Sequence, residues 1–253
     1  MRAFSPQCTN WLVRSIRRVL ERHFFPMAEM GSDVKKAGRR TPARQQDPEG
    51  TRANIIEVAS QEFALNGLSG ARIDEIAAKT RSSKRMIYYY FGDKEGLYLS
   101  ALEAAYATVR EGEAELDIAG LPPVDGMRRL VEFTFDHHHQ HENFIRMVMI
   151  ENIHHGQYLE RSGVVRELNV TAIARIKELY ERGVSEGHFR PGLDPLEIHW
   201  QISALCFFNV SNRATFSQLF ARDFGSAEMQ MKLKQNTSEM VLRYLAREAA
   251  PRL

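Results

Sequence analysis

From Asp47 onward, apolar residues recur at helical rather than strand spacing. Ile56, Ala59 and Phe63 stand at i, i+3 and i+7 behind an Asp47-Pro48 start signal, and Asn66-Gly67 supplies a stop, so the pattern predicts a helix over about 49–66. Ile73, Ile76 and Ala77 mark a short second helix, and Thr80-Arg81-Ser82 reads as a turn. Ser83 is placed to cap a third helix running through Tyr90, and Asp93 a fourth running to about Glu115, before Pro122-Pro123 interrupts the chain. Five more helical stretches follow, at about 124–140, 142–158, 164–187, 195–221 and 227–248, separated by Gly-, Pro- and Asp-rich punctuation. Strand signals are nearly absent. The prediction is an all-α protein, with a small amino-terminal helical domain ahead of a larger helical bundle.

Charge changes the picture at the amino end. The net charge of the 253 residues is +2, but residues 1–50 carry ten Lys/Arg against five acids, while the rest of the chain is net negative. Positive potential gathered in this way suits a polyanionic partner. Residues 1–46 read as a basic, flexible extension. Its first 26 residues admit a surface anchor or an Arg-rich transit segment, and equally a start placed ahead of Met27 or Met30. Two cysteines, Cys8 and Cys206, lie too far apart for a C-x-x-C site, and no apolar run reaches the ~18 residues of a membrane span. The expectation is a cytoplasmic protein without cofactor or structural metal.

Two short helices joined by a tight turn, behind a stabilising helix, have the dimensions of a helix-turn-helix DNA reader. At 100° per residue with Ile87 at zero, Phe91 and Ser83 flank it at about 40° on either side and define an inward face. Arg85 and Tyr89 fall near 160° and 200°, so they point outward, with Lys84 and Tyr88 on one flank and Met86 and Tyr90 on the other. An exposed Arg matches the paired acceptors of guanine, and tyrosines offer hydroxyls to phosphate or apolar edges to thymine methyls. Between Lys79 and Lys94 five basic residues (Lys79, Arg81, Lys84, Arg85, Lys94) face a single acid, Asp93, a balance suited to sequence-blind phosphate contacts.

The segment GLSGARIDEIAAKTRSSKRMIYYYFGDKEGL, Gly67 to Leu97, resembles the amino-terminal motif of the TetR family of transcriptional regulators. Phe63 and Gly67, Ile73 with Ile76-Ala77, Ser83-Lys84, Ile87-Tyr88 with Phe91, and Lys94-Glu95-Gly96-Leu97 carry the likeness, which covers about residues 50–105. It implies a homodimer that inserts its third helices into a palindromic operator in double-stranded DNA. It also implies carboxy-terminal domains that dimerise and enclose a small-molecule effector, whose binding releases DNA. The implied division is a DNA-binding domain over 47–95 and a ligand-binding and dimerisation domain over 96–253. By position, Lys84, Arg85, Met86, Tyr88 and Tyr89 become reading or backbone-contacting residues, Lys94 touches a phosphate, and Arg72, Arg81 and Ser83 complete the DNA-binding set. Three positions depart from the family pattern: Arg72 replaces a hydroxyl residue, Arg81 a turn glycine, and Ser82 a β-branched residue. Arg81 bears on the turn itself, because a non-glycine residue disfavours positive φ.

In the carboxy-terminal part, FRPGLDPLEIHWQISALCFF resembles the segment that forms a dimerisation helix in the family, with Asp194 as its cap. Helices 164–187 and 195–221 are expected to pair with their symmetry mates, and Leu205, Phe208 and Asn212 recur on one face, as dimer interface or as core. Arg146, Asn152, His155 and Trp200 are the candidate effector-binding residues, polar groups set in mostly apolar helices. The histidines His137, His138, His139, His141, His154 and His155 leave two further openings. One of them could serve a pocket, and His137 with His141 at i, i+4 would make segment 137–155 the metal site of a helical enzyme, the alternative to a regulator. No H-E-x-x-H, phosphate loop or dinucleotide fingerprint supports that enzyme. A third possibility is a non-specific nucleoid or membrane-surface protein acting through residues 1–50.

Overall fold

A computed structural model describes residues 47–247, and the readings of the basic extension 1–46 lie outside the described residues. The chain forms α1 (Pro48–Gly70), α2 (Ile73–Thr80), α3 (Lys84–Phe91), α4 (Lys94–Ala114), α5 (Pro123–Gln140), α6 (Glu142–Ile153), α7 (Gly163–Ser185), α8 (Pro195–Ser211), α9 (Arg213–Leu219) and α10 (Ala227–Leu245). A single 3-10 turn, Leu159–Arg161, precedes α7. Among the described residues the β-structure is one isolated bridge, Phe189 to Ala246, which ties the α7–α8 loop to the end of α10.

The start signals work as local chemistry requires. Asp47 accepts from the Gly50 amide at 3.0 Å, Ser83 from Met86 at 3.2 Å, Asp93 from Gly96 at 2.7 Å, and Asp194 from Leu196 at 2.9 Å. Gly67 adopts φ 68°, ψ 174° and kinks α1 at the expected stop, although helical turns resume to Gly70. Two of the long predicted helices are broken instead. The 142–158 stretch ends at Ile153, because His155 and Gly156 both take positive φ (56° and 74°) and reverse the chain. The 195–221 stretch divides at Asn212, whose φ of −109° leaves helical geometry and starts the short α9.

Two apolar cores result. The amino-terminal core joins Ile55, Phe63, Ile76, Ile87 and Phe91 to Leu97, Tyr98, Ala101 and Leu102 on α4, and also takes in Met147 from α6 and Tyr158. The second core, centred on Met127, Val131, Phe135, Ile176, Phe189 and Ile202, belongs to α5, α7, α8 and α10. The division placed at 95/96 falls in the first turn of α4, whose Leu97, Tyr98, Ala101 and Leu102 pack into the amino-terminal core. Tyr98 packs edge-on against Phe63 at 5.1 Å and Tyr158 at 5.2 Å, which links α1 to the loop before α7.

Candidate nucleic-acid interface

The geometry of α3 follows from eight residues with a strong division of faces. Ile87 is fully buried and Phe91 nearly so, while Lys84, Arg85, Met86, Tyr88 and Tyr89 are exposed. Tyr89 shows 80% of its surface to solvent and Tyr88 45%. Tyr90 is partly buried against the amino-terminal core and meets Phe91 edge-on at 6.1 Å. Ser83 is a correction to the inward face: it is exposed, and its hydroxyl serves the end of the helix rather than the core. Gly92 at φ 77° ends α3, and α4 begins close behind it. A Cβ at Gly96 would run into the Phe91 carbonyl oxygen, which explains a glycine in the first turn of α4.

The turn between α2 and α3 is held by backbone bonds from Arg81 to the Ala78 carbonyl at 3.3 Å and from Ser82 to the Ala77 carbonyl at 3.0 Å. That pair of bonds is the Schellman closure of a helix, and it places the residue at its corner in the left-handed region. Arg81 occupies the corner at φ 53°, ψ 28°, with its side chain exposed. The turn thus keeps the conformation a glycine would favour, at an energetic cost, and gains an outward cation.

The cations are not all equally available. Lys79 is bound to Glu62 at 2.9 Å, and Glu62 is buried between α1 and α2. The lysine's hydrogen bond holds that carboxyl below its usual range, against the opposing effect of burial. Lys79 therefore joins two helices and drops out of the phosphate-contacting set. Lys84 pairs with Asp74 at 2.5 Å, and Arg72 lies 4.0 Å from the same carboxylate. Arg72 precedes α2 without capping it through its side chain. Lys94 donates to the Ser69 carbonyl at 3.1 Å, bridging the start of α4 to the end of α1. Arg85 and Arg81 make no ion pair among the described residues. Asp74 and Glu62 are the counter-charges that sequence spacing does not reveal.

Comparisons with known proteins agree with this geometry. Residues 55–101 match the model of bacterial regulatory proteins of the tetR family, and residues 123–241 match that of a tetracyclin repressor-like C-terminal domain. The HTH-type transcriptional repressor NicS of Pseudomonas putida is 34% identical over 209 residues, which span 83% of this chain and 99% of that protein. The chain belongs to the TetR family. A second repressor, SCO4008 of Streptomyces coelicolor, is 36% identical over 141 residues, covering 54% of this chain and 69% of its own length. Among solved structures, the putative regulator SCO4942 of Streptomyces coelicolor superposes with a TM-score of 0.60 at 23% identity over 78% of this chain and 99% of that one. A TetR regulator from Marinobacter aquaeolei gives 0.61 at 19% identity, over 78% and 96%. These structures share the fold: the TetR helix-turn-helix domain followed by the helical carboxy-terminal domain.

The carboxy-terminal candidates of this TetR protein lie apart. Trp200 is 72% exposed on α8, Asn152 and His155 face solvent, and Arg146 donates from Nε to the Ala64 carbonyl at 2.7 Å along a groove between α1 and α6. These four do not share a cavity. The proposed dimer stripe is also shifted: Leu205 packs on the second core, whereas the exposed apolar positions of α8 are Leu196, Trp200 and Phe208. The outer face of α7 is largely polar, with Lys177, Glu178 and Glu181 exposed beside Val170, while α10 exposes Met231 and Met240. His137 and His141 lie ring on ring at 4.0 Å, a stack that aims their nitrogens past a common metal. Among the described residues no cluster of three or more His, Cys, Asp or Glu could hold a metal ion, and no helix is long and apolar enough to cross a membrane.

Proposed function

We propose that this TetR-family protein is a cytoplasmic homodimeric repressor that reads a palindromic operator through α3 and leaves it when a small molecule binds the carboxy-terminal bundle. The exposed ridge of Arg85 and Tyr89 on a helix whose opposite face is buried carries the reading. Arg85 supplies base-edge recognition, while Tyr88, Tyr89 and Met86 offer hydroxyl and apolar contacts in the major groove. Ser83, Lys84, Arg81, Arg72 and Lys94 surround the ridge as phosphate-contacting groups. The exposed Leu196, Trp200, Phe208, Met231 and Met240 on α8 and α10 support a symmetric interface that spaces the two reading helices. The similar NicS and SCO4008 proteins are transcriptional repressors.

Selection of bound fragments from the parent genome, followed by band shifts, tests this proposal. A palindrome bound in the nanomolar range, with affinity falling steeply as salt rises, is the expected result. Arg85→Ala should lose discrimination at particular base pairs, and Lys94→Ala should weaken all fragments alike. Equal affinity for every fragment would remove the sequence-specific claim.

A further inference from the structure

The carboxy-terminal bundle has a buried polar centre that the helix-turn-helix does not use. Arg110, on α4, is almost enclosed: its side chain is 12% exposed. One guanidinium nitrogen donates to both oxygens of Glu113 at 2.6 and 2.5 Å, and the other to Asn169 on α7 at 2.9 Å. Its Nε meets no acceptor. On α5, His137 and His138 are only 6% and 7% exposed, and neither ring nitrogen of His137 nor Nδ1 of His138 finds a partner. Buried polar atoms are normally paired, and the Arg110 charge acts on both histidines, so these four orphaned atoms mark a region where something else supplies acceptors.

The electrostatics select among possible occupants. Burial, reinforced by neighbouring positive groups including Arg110, lowers His137 to about 3 and His138 to about 4. Burial first, and Arg110 second, lower His199 on α8 to about 4. The imidazoles are therefore neutral at pH 7, each with one N–H to give. Burial disfavours any unpaired ion here, and the positive charge of Arg110 adds a specific opposition to an incoming ammonium group. Arg175 directs its guanidinium to the Glu113 and Leu116 carbonyls, so Glu113 is flanked by two arginines. What is missing is a cluster of acceptors for an arginine N–H and imidazole N–H groups. A carboxylate has two oxygens and about four lone-pair sites to offer them.

There is also space and a lining. A groove of about 350 Å³ between α4, α5 and α10 reaches His137 past Phe133, Gly112 and His141, its charged lining balanced between Glu132 and Asp136 and the cations Arg129 and Lys234. Glu113, Thr134, Arg175 and His199 line a separate small cavity of about 10 Å³, room for one water. Phe144 stands edge-on to Tyr106 at 5.2 Å and to His138 at 5.7 Å, giving the centre aromatic walls. The volume of the groove lies at the low end for small-molecule sites.

The geometry points to this centre, Arg110 with His137, His138 and His199, as the effector site, and to a small organic carboxylate as its ligand. The inference rests on the effector-responsive reading above and names its site and ligand class.

The test uses the full chain and four probes: benzoate and hexanoate as acids, benzamide as the uncharged analogue, and benzylamine as the cation. Calorimetry measures binding, imidazole NMR locates it, and band shifts with the selected operator follow DNA release. Both acids should move the resonances of His137 and His138 and bind roughly tenfold or more tightly than benzamide, the size expected of one charge-assisted hydrogen bond. Benzylamine should not bind. His138→Asn should lose about that same factor for the acids with helicity unchanged, whereas Arg110→Gln should lose acid binding and also stability, because it leaves the Glu113 carboxylate buried without its partner. The site is overturned if no acid moves the imidazole resonances, if benzamide or benzylamine binds as well as benzoate, or if folded His138→Asn binds acids like the parent. Acids bound at the imidazoles with the operator still held would leave the site standing and remove the effector reading. Release of operator by benzamide with the imidazoles unmoved would keep the effector reading and remove this site.

Discussion

Arg81→Gly separates the two roles that the α2–α3 turn combines. Arg81 sits at φ 53°, ψ 28°, held by the hydrogen bonds of Arg81 and Ser82 to the end of α2. A non-glycine residue in that region is disfavoured by about 1–2 kcal/mol. Glycine removes this cost but gives the unfolded chain more freedom, which takes back about 0.5–1 kcal/mol. The net expectation is a gain of about 0.5–1 kcal/mol, or about 1–4 °C in Tm for a chain of this size. DNA binding should move the other way. If the exposed guanidinium neutralises one phosphate, its loss reduces the slope of log K against log salt by about 0.9 per protomer. Thermal melts and band shifts between 50 and 200 mM salt, roughly the range over which such contacts are lost, read both effects on one variant. Arg81→Lys is the control, retaining the charge and the strain, so neither quantity should move much. A glycine variant no more stable than the parent would refute the strain argument, and an unchanged salt slope would refute the phosphate contact.

Glu62→Gln should cost about 1–2 kcal/mol at pH 7, less than a fully buried pair because Lys79 is half-exposed and can turn to water. Since the Glu62 carboxyl is held low by Lys79, its contribution is complete above the unfolded value near 4.3 and fades as pH falls through the lower folded value. Denaturation of parent and variant should thus differ at neutral pH and converge in acid; a constant difference would refute the pairing. Asp74→Asn should tighten operator binding and steepen its salt dependence, because Lys84 loses its partner at 2.5 Å; band shifts showing weaker binding would contradict this. Trp200→Glu should raise the dimer dissociation constant roughly 30- to 1000-fold, the effect of losing about 2–4 kcal/mol at an aromatic anchor, without loss of helicity. Light scattering that finds the variant still dimeric at low concentration would move the interface off α8.

What could be read from the chain was local, and what escaped was set by distant partners. The caps at Asp47, Ser83, Asp93 and Asp194 act within three residues, and the eight-residue α3 divides into faces so cleanly that its outward ridge follows from periodicity alone. The break at Asn212 carries no glycine or proline of its own, so nothing local announced it, whereas Gly156 stands at the other break and the predicted helix simply overran it. On the reading face, Lys79 looked like a free cation because its partner Glu62 is 17 residues away. The frame of the exposed stripe on α8 depends on which side α5 and α10 cover, and that decision places Leu205 inside and Trp200 outside.

Arg110 makes the same point in its strongest form. It lies in the run Arg110-Glu111-Gly112-Glu113-Ala114-Glu115, where an arginine three residues before a glutamate reads as a solvated surface pair, worth little to stability. The bundle closes over that pair: Asn169 arrives from 59 residues downstream, and His137 and His138 turn inward from α5. Burial removes the screening that made the pair ordinary; burial is also what chiefly lowers three histidines on two other helices, and the Arg110 charge adds to that shift. Polar residues in apolar helices, the rule that selected Arg146, Asn152, His155 and Trp200, picks out side chains that the fold disperses over its surface. In a bundle of amphipathic helices the interior polar group comes as readily from a charged-looking stretch that tertiary contacts enclose, and its signature is an orphaned donor rather than a sequence pattern.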